Sequence, residues 1–345
     1  MKKRIAVAAA CTAALASLAF ASPASSATWS PLSFGKVTTI ADNLFTPLSF
    51  AVDATGNSYV AQSFIGTLTR ITPAGTQTTV ATAPQGEAIG AVSSLGGNVY
   101  FAQGSQEEVR FTLMSLEPGG EPQPLADLAE HEKTVNPDQV NTYGFTDLAD
   151  ECLAQFPPEV AGFARYTGIV DTNPYASTVT QHAIYVADAG ANAILKVDWD
   201  GTVSTAAVLP PTPEVEITAE LAGQFGFPEC AVGHGYAFEP VPTDVEVGPD
   251  GWLYVTSLPG GPEDPSLGER GAVYKVNPWT GEVVMVAGGF VGATNLAVER
   301  NTGAILVTEL FGGPEQQPGR ADYRHAGMLA PALRRRDGHL GRKRT

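Results

Sequence analysis

From about residue 50 onward the chain alternates short apolar runs with tight polar turns. The segment "AILKVDW", which begins at Ala193, sets Leu195, Val197 and Trp199 against Ile194, Lys196 and Asp198. That period of two places successive side chains on opposite faces of a strand. The turns "DATGN", "DWDGT", "GPDGW" and "NPWTG" between such runs put glycine where the backbone needs positive φ.

The alternation repeats. "GNSYVAQ" at Gly56, "GNVYFAQ" at Gly97, "HAIYVADAG" at His182 and "GWLYVTS" at Gly251 each follow an apolar strand and a turn. Each precedes a loop, an alternating strand, a glycine turn and a last strand. "ATNLAVERNTGAILVTEL" from Ala293 supplies the opening half of a fifth copy. Four-stranded units near a forty-residue period predict a β-propeller. From Tyr59 to Tyr100 is 41 residues, whereas Tyr100 to Tyr185 is 85 and Tyr185 to Tyr254 is 69. The surplus falls in two insertions between repeats, about 130–167 and 213–241. Each is expected to carry a short helix; in the first, Leu148, Cys152 and Phe156 recur at i, i+4 spacing before Pro157. Connections between blades and the loops joining second to third strands leave a propeller on one face. Both insertions and the loop "SLPGGPEDPSLGERGA" should therefore crowd the same mouth of the central channel.

Charge divides the chain of 345 residues into parts. "MKKR", the apolar "IAVAAACTAALASLAF" and "ASPASSA" read as a secretory signal over 1–27, cut after Ala27. An uncleaved anchor is the alternative, but the apolar run is short for a span. Residues 5–319 hold nine basic and 34 acidic side chains, a net charge of −25. Such a body repels phosphate backbones, which excludes nucleic acid as a partner. No later stretch reads as a transmembrane segment. Cys152 and Cys230, 78 residues apart in an exported chain, are expected to form a disulfide. The domain reading is a propeller over 28–312 followed by an atypical tail at 313–345.

"TGIVDTNPYA", "YVADAGANAILKVDWDG", "GHGYAFEPVPTDVEVGPDGWLYVTSLPGGPEDPSLGERGAVYKVNP" and "GATNLAVE" resemble the ScyD/ScyE family of exported proteins, from about residue 35 to 310. The resemblance implies an all-β, six-bladed-type propeller of the NHL/SMP-30 kind. It implies no established activity. It ends where "FGGPEQQPGR" begins and the chain turns into the basic "PALRRRDGHLGRKRT". That tail reads either as a basic arm or as a stretch in a shifted frame, and its Arg, Ala, Gly and Pro content favours the second. "GKVTTIADNL" at 35–44 reads as the closing strand of a blade whose other strands are missing, so the ring is expected to be incomplete.

Asn173, Asp244 and Asn295 stand near the starts of inner strands. SMP-30-like lactonases place Glu, Asn and Asp comparably around a divalent metal, so these three are the candidate ligands for Ca2+ or another divalent cation. The competing role is capping of strand starts. His234, under the cap insertions, and Asp188, at the end of "IYVAD", join them as candidate ligand-binding residues. His131 and His182 lack a partner at metal spacing. Glu263, Asp264 and Glu269 form an acidic loop rim. No catalytic residue is assigned. The leading expectation is an exported propeller that binds a small molecule or an extracellular protein on its cap face; the alternative is a metal-dependent lactonase or hydrolase.

Overall fold

Inner strands Pro47–Val52, Pro174–Val179 and Pro242–Val247 begin with proline, which suits a first strand position because no ladder donor is lost there. The register against the second strand then slips between Pro47 and Ser49, between Pro174 and Ala176, and between Pro242 and Asp244. Inner strand Ala293–Val298 slips at the same place, between Ala293 and Asn295. A bulge recurring at one position gives the sequence repeat a three-dimensional counterpart.

The computed structural model describes residues 38–262 and 265–311. The unit that begins at Ile40 is built from antiparallel sheets. Four four-stranded sheets, at 47–82, 88–127, 174–208 and 242–290, run in chain order from first to fourth strand. A two-stranded sheet, Ala293–Val298 with Ile305–Glu309, follows. Residues from the first strands of all five line one cavity. This is a propeller-like, mainly β architecture. Among the described residues no helix is long and apolar enough to cross a membrane.

The apolar cores lie between neighbouring sheets, which explains why some strands show no polar face. In the third sheet Ile184, Val186, Leu195 and Val197 pack against Tyr100, Ala102 and Leu113 of the second. The alternate residues Ala183, Tyr185, Ala187 and Ile194 pack against Val245, Val255 and Tyr274 of the fourth. Each face of the blade is thus covered by a neighbour, and strand Ala183–Asp188 is buried throughout.

One sequence expectation differs from the structure, and another holds but is incomplete. Residues 38–44 form no strand, and 35–37 lie outside the described residues. The insertions hold more than short helices. They carry α1 (Leu128–Val135, leading into the first), α2 (Asp150–Leu153), α3 (Pro158–Ala164) and α4 (Ala219–Phe225). They also share a fifth four-stranded sheet, in the order Arg165–Thr167, Thr142–Phe145, Gly235–Ala237, Val215–Glu216. Strands of two to four residues are too short to show a period in sequence. The proposed signal at 1–27, the tail at 313–345, and Glu263 and Asp264 lie outside the described residues.

Candidate functional site

The two insertions are joined at several points. Cys152 and Cys230 form a disulfide with Cα atoms 5.9 Å apart. The shared sheet pairs Tyr236 with Phe145 and Ala237 with Gly144. Gly144 has φ +82°, and a Cβ there would lie 2.5 Å from the Ala164 carbonyl, so only glycine admits this close strand approach. His234 Nδ1 meets Asp147 Oδ2 at 3.0 Å, an exposed contact between the insertions. Beneath these links Phe145, Leu148, Cys152, Phe156, Ile217 and Tyr236 form a core of their own.

Beside that core is a cavity of about 400 Å3 lined by Phe163, Tyr166, Phe225, Phe227, Tyr236 and Phe238, with Glu239 as its carboxylate. The rings support one another. Phe227 stacks on Tyr236 at 5.8 Å, Tyr236 meets Phe238 at 4.6 Å, and Phe163 meets Tyr166 edge-on at 6.2 Å. The Tyr236 hydroxyl donates to the Phe163 carbonyl at 2.9 Å, tying the second insertion to the first. Gly260, Gly261 and Pro262 of the fourth-sheet loop complete the wall. Arg270 holds that loop: its guanidinium lies 4.6 Å from the Phe238 centroid and donates to the Gly260 and Pro262 carbonyls, each at 3.0 Å. Three segments distant in sequence thus build one aromatic pocket.

Behind Glu239 the structure gathers acidic groups. Burial raises the Glu239 carboxyl even though Tyr166 and Asn192 hydrogen-bond to it, and the charges of Asp138 and Asp171 add to the rise. Glu132 is pushed up to about 8, first by burial and then by the negative charges of Asp188, Asp138 and Asp171. Among the described residues no ion pair involves Glu132, Asp138, Asp171, Asp188 or Glu239.

A second cavity, of about 480 Å3, stands where the sequence reading expects the central channel, lined by Ser93, Ser177, Asp244, Glu246, Asn295 and Arg300 among others. Asp244 and Asn295 both line it, and the Asn295 side chain helps to hold the Asp244 carboxyl down. Asp244 also accepts the Val245 amide at 2.9 Å and the Leu296 amide at 2.7 Å. Burial nonetheless lifts its carboxyl to about 6. Glu246, two residues on, is raised to about 7, chiefly by burial and then by Asp244.

Asn173 does not join that pair. Its amide donates to Asp188 Oδ1 at 2.7 Å and its carbonyl accepts from Ala189. Asp188 is fully buried, and it also accepts from Thr172, Gly190 and Ala191, which fixes the entry to the third sheet. Burial raises it to about 6. Among the described residues no group of three or more His, Cys, Asp or Glu is arranged to hold a metal ion. His131 contacts Thr205 at 2.9 Å and His182 sits in an exposed turn.

The pocket's aromatic residues had a signal in the sequence. Stretches 156–166 and 225–238 hold seven aromatic residues in 25, against 8% for the whole chain. Such density in insertions, away from the blade cores, marks rings with another surface to build.

No family model matches the sequence, and no curated protein matches it. Among solved structures the chain is similar to virginiamycin B lyase from Staphylococcus aureus, with 15% identity, a TM-score of 0.40 and coverage of 77% of this chain and 64% of that one. It is similar to a gluconolactonase from Xanthomonas campestris at 13% identity and TM-score 0.43, covering 75% and 68%. A chain of a nidogen/laminin complex gives 10% identity and TM-score 0.44, covering 77% and 73%. The chain spans 64% of the length of the virginiamycin B lyase it matches. These likenesses carry no chemistry over to this chain.

Proposed function

We propose that this is an exported six-bladed-type propeller protein of the ScyD/ScyE kind that binds a small organic ligand on its cap face. The observation that carries the reading is the aromatic cavity of about 400 Å3 made by both insertions and the fourth-sheet loop. Ligand sites are typically concave and mostly apolar, with a few polar groups that fix orientation. Here the rings offer flat apolar contact and Glu239 offers an acceptor. The expected ligand is a flat apolar body bearing one hydrogen-bond donor. The disulfide suits export, where thiols are not kept reduced. The test is titration of the full chain with an indole or naphthalene amine, followed by fluorescence. Phe227→Ala should weaken binding about tenfold or more, the scale of losing one well-packed aromatic contact. Unchanged affinity in a folded Phe227→Ala variant would reject the pocket as the site.

A second reading, a hydrolase acting in the central channel, is favoured by one observation. Glu246, raised to about 7 beside Asp244, has a proton affinity suited to general acid–base work near neutrality. A divalent ion at Asp244 and Asn295 would add Lewis-acid chemistry. Lactone turnover lost in Glu246→Gln, with a dialysis-resistant ion lost in Asp244→Ala, would move the assignment from the cap to the channel.

A further inference from the structure

We propose that a calcium ion binds under the cap, held by the side-chain oxygens of Glu132, Asn136 and Asp138. Helix α1 ends at Val135, Asn136 caps it with φ 43°, and the turn Pro137–Val140 follows. Three side-chain oxygens from this short stretch, Glu132 Oε2, Asn136 Oδ1 and Asp138 Oδ1, are buried without a hydrogen-bond partner. Glu132 is 0% exposed and Asp138 1% exposed. A buried acceptor left unpaired is costly, and three within seven residues call for a common cause.

The other end of each side chain is already held. Glu132 Oε1 accepts the Asp171 amide at 3.3 Å. Asp138 Oδ2 accepts from the Tyr143 hydroxyl at 3.0 Å and from Asn192 Nδ2 at 2.9 Å. Asn136 Nδ2 donates to the Gly168 carbonyl at 2.9 Å. Asp138 Oδ1 lies so close to Gly168 that a Cβ there would sit 1.8 Å from it. Glu132 and Asn136 thus hydrogen-bond to the segment 168–171, Asp138 packs against its first residue, and in each of the three side chains one oxygen is left unpaired. Outer partners that orient such oxygens are characteristic of metal ligands.

A cation fits this set better than a water molecule. The three free atoms are acceptors, and one water can donate to at most two of them. Asp171, Asp188 and Glu239 add negative charge around the pair. The C-terminal end of α1 contributes the negative pole of its dipole. Two carboxylates and an amide oxygen form a hard ligand set, and calcium accepts irregular geometry with water in its remaining places. A proton shared between Glu132 and Asp138 is the competing explanation.

The test is calorimetric titration of the full, disulfide-intact chain after chelator treatment, first with Ca2+ and then with Mg2+. One Ca2+ should bind and raise the melting temperature, with Mg2+ at least tenfold weaker. Glu132→Gln and Asp138→Asn should each lower Ca2+ affinity at least tenfold. Tb3+ should give tyrosine-sensitised emission, through Tyr143, that Ca2+ displaces. This readout needs no variant, so it decides the matter even if a substitution unfolds the cap. Absence of both Ca2+ binding and sensitised emission overturns the proposal in favour of the shared proton. Ca2+ binding that survives both substitutions overturns it as well, because the ion then lies elsewhere.

Discussion

The Asp244 carboxylate accepts the backbone amide of Leu296 at 2.7 Å, from the inner strand of one sheet to that of the next. Ser49 makes the corresponding contact in the first sheet, where its Oγ accepts the Val92 amide at 3.0 Å. Both residues occupy the same post-bulge position of their strands. The repeat thus supplies a latch between neighbouring blades. Thr243 adds a second link, donating to the Ala293 carbonyl at 2.9 Å.

Asp244→Ala should leave the Leu296 amide buried and unpaired, lowering stability by about 1–3 kcal/mol. Denaturant midpoints measure this. Ser49→Ala should cost less, about 1 kcal/mol, because the lost acceptor is uncharged. Equal midpoints for Asp244→Ala and the parent protein would refute the latch.

Removing the disulfide should act on the cap before it acts on the blades. The bridge closes a separation of 78 residues. In the chain-entropy model its loss costs about 4–5 kcal/mol. The core around Phe145 and Tyr236 is separate from the cores between sheets, so opening should begin there. In Cys152→Ser/Cys230→Ser, hydrogen exchange should accelerate in α4 while the strand Ala183–Asp188 stays protected. Uniform acceleration across both would show instead that cap and blades unfold as one unit.

Arg270→Met tests how the loop wall of the aromatic pocket is held. The substitution keeps an apolar stem but removes the charged donors to Gly260 and Pro262 and the cation on Phe238. The expected loss is about 2 kcal/mol. Arg270→Lys should recover only part of it, because an ammonium lacks the planar fork that reaches both carbonyls. Comparison of the two melting curves with that of the parent gives the answer.

The blades were legible in the sequence because each repeat carries its own turns and a Tyr-Val landmark. Those signals are local, and the strands around Tyr59, Tyr100, Tyr185 and Tyr254 follow them. The Cys152–Cys230 pairing was legible through the expected export signal, which takes in Cys11 and leaves two cysteines in the rest of the chain. The cap was less legible. Strand Gly235–Ala237 is three residues long, and its partner Thr142–Phe145 lies some ninety residues earlier, so no short-range pattern joins them. Asp244 stood out in sequence, but the structure shows its carboxylate engaged with backbone amides. Glu132, Asn136 and Asp138 did not stand out, since nothing in their spacing shows which oxygens remain unpaired.

Glu246 gives the pH dependence a direction. Its carboxyl rises from an ordinary 4.5 to about 7 in the folded protein, chiefly through burial and then through Asp244. Between those values the folded chain keeps a proton that the unfolded chain has lost. The Glu246 contribution to stability therefore falls as pH rises from 4.5 towards 7 and levels off above the folded value, while Glu132, raised to about 8, carries the overall decline further. Asp188 and Asp244, each raised to about 6, steepen the lower part of the same decline. In Glu246→Gln no proton is exchanged at that site, so its decline should be shallower. Urea midpoints taken from about pH 4 to about pH 8 should converge for the two proteins at the acid end. At the alkaline end the variant should lead by about 1–3 kcal/mol relative to that baseline. Parallel profiles would show that Glu246 does not contribute to the decline.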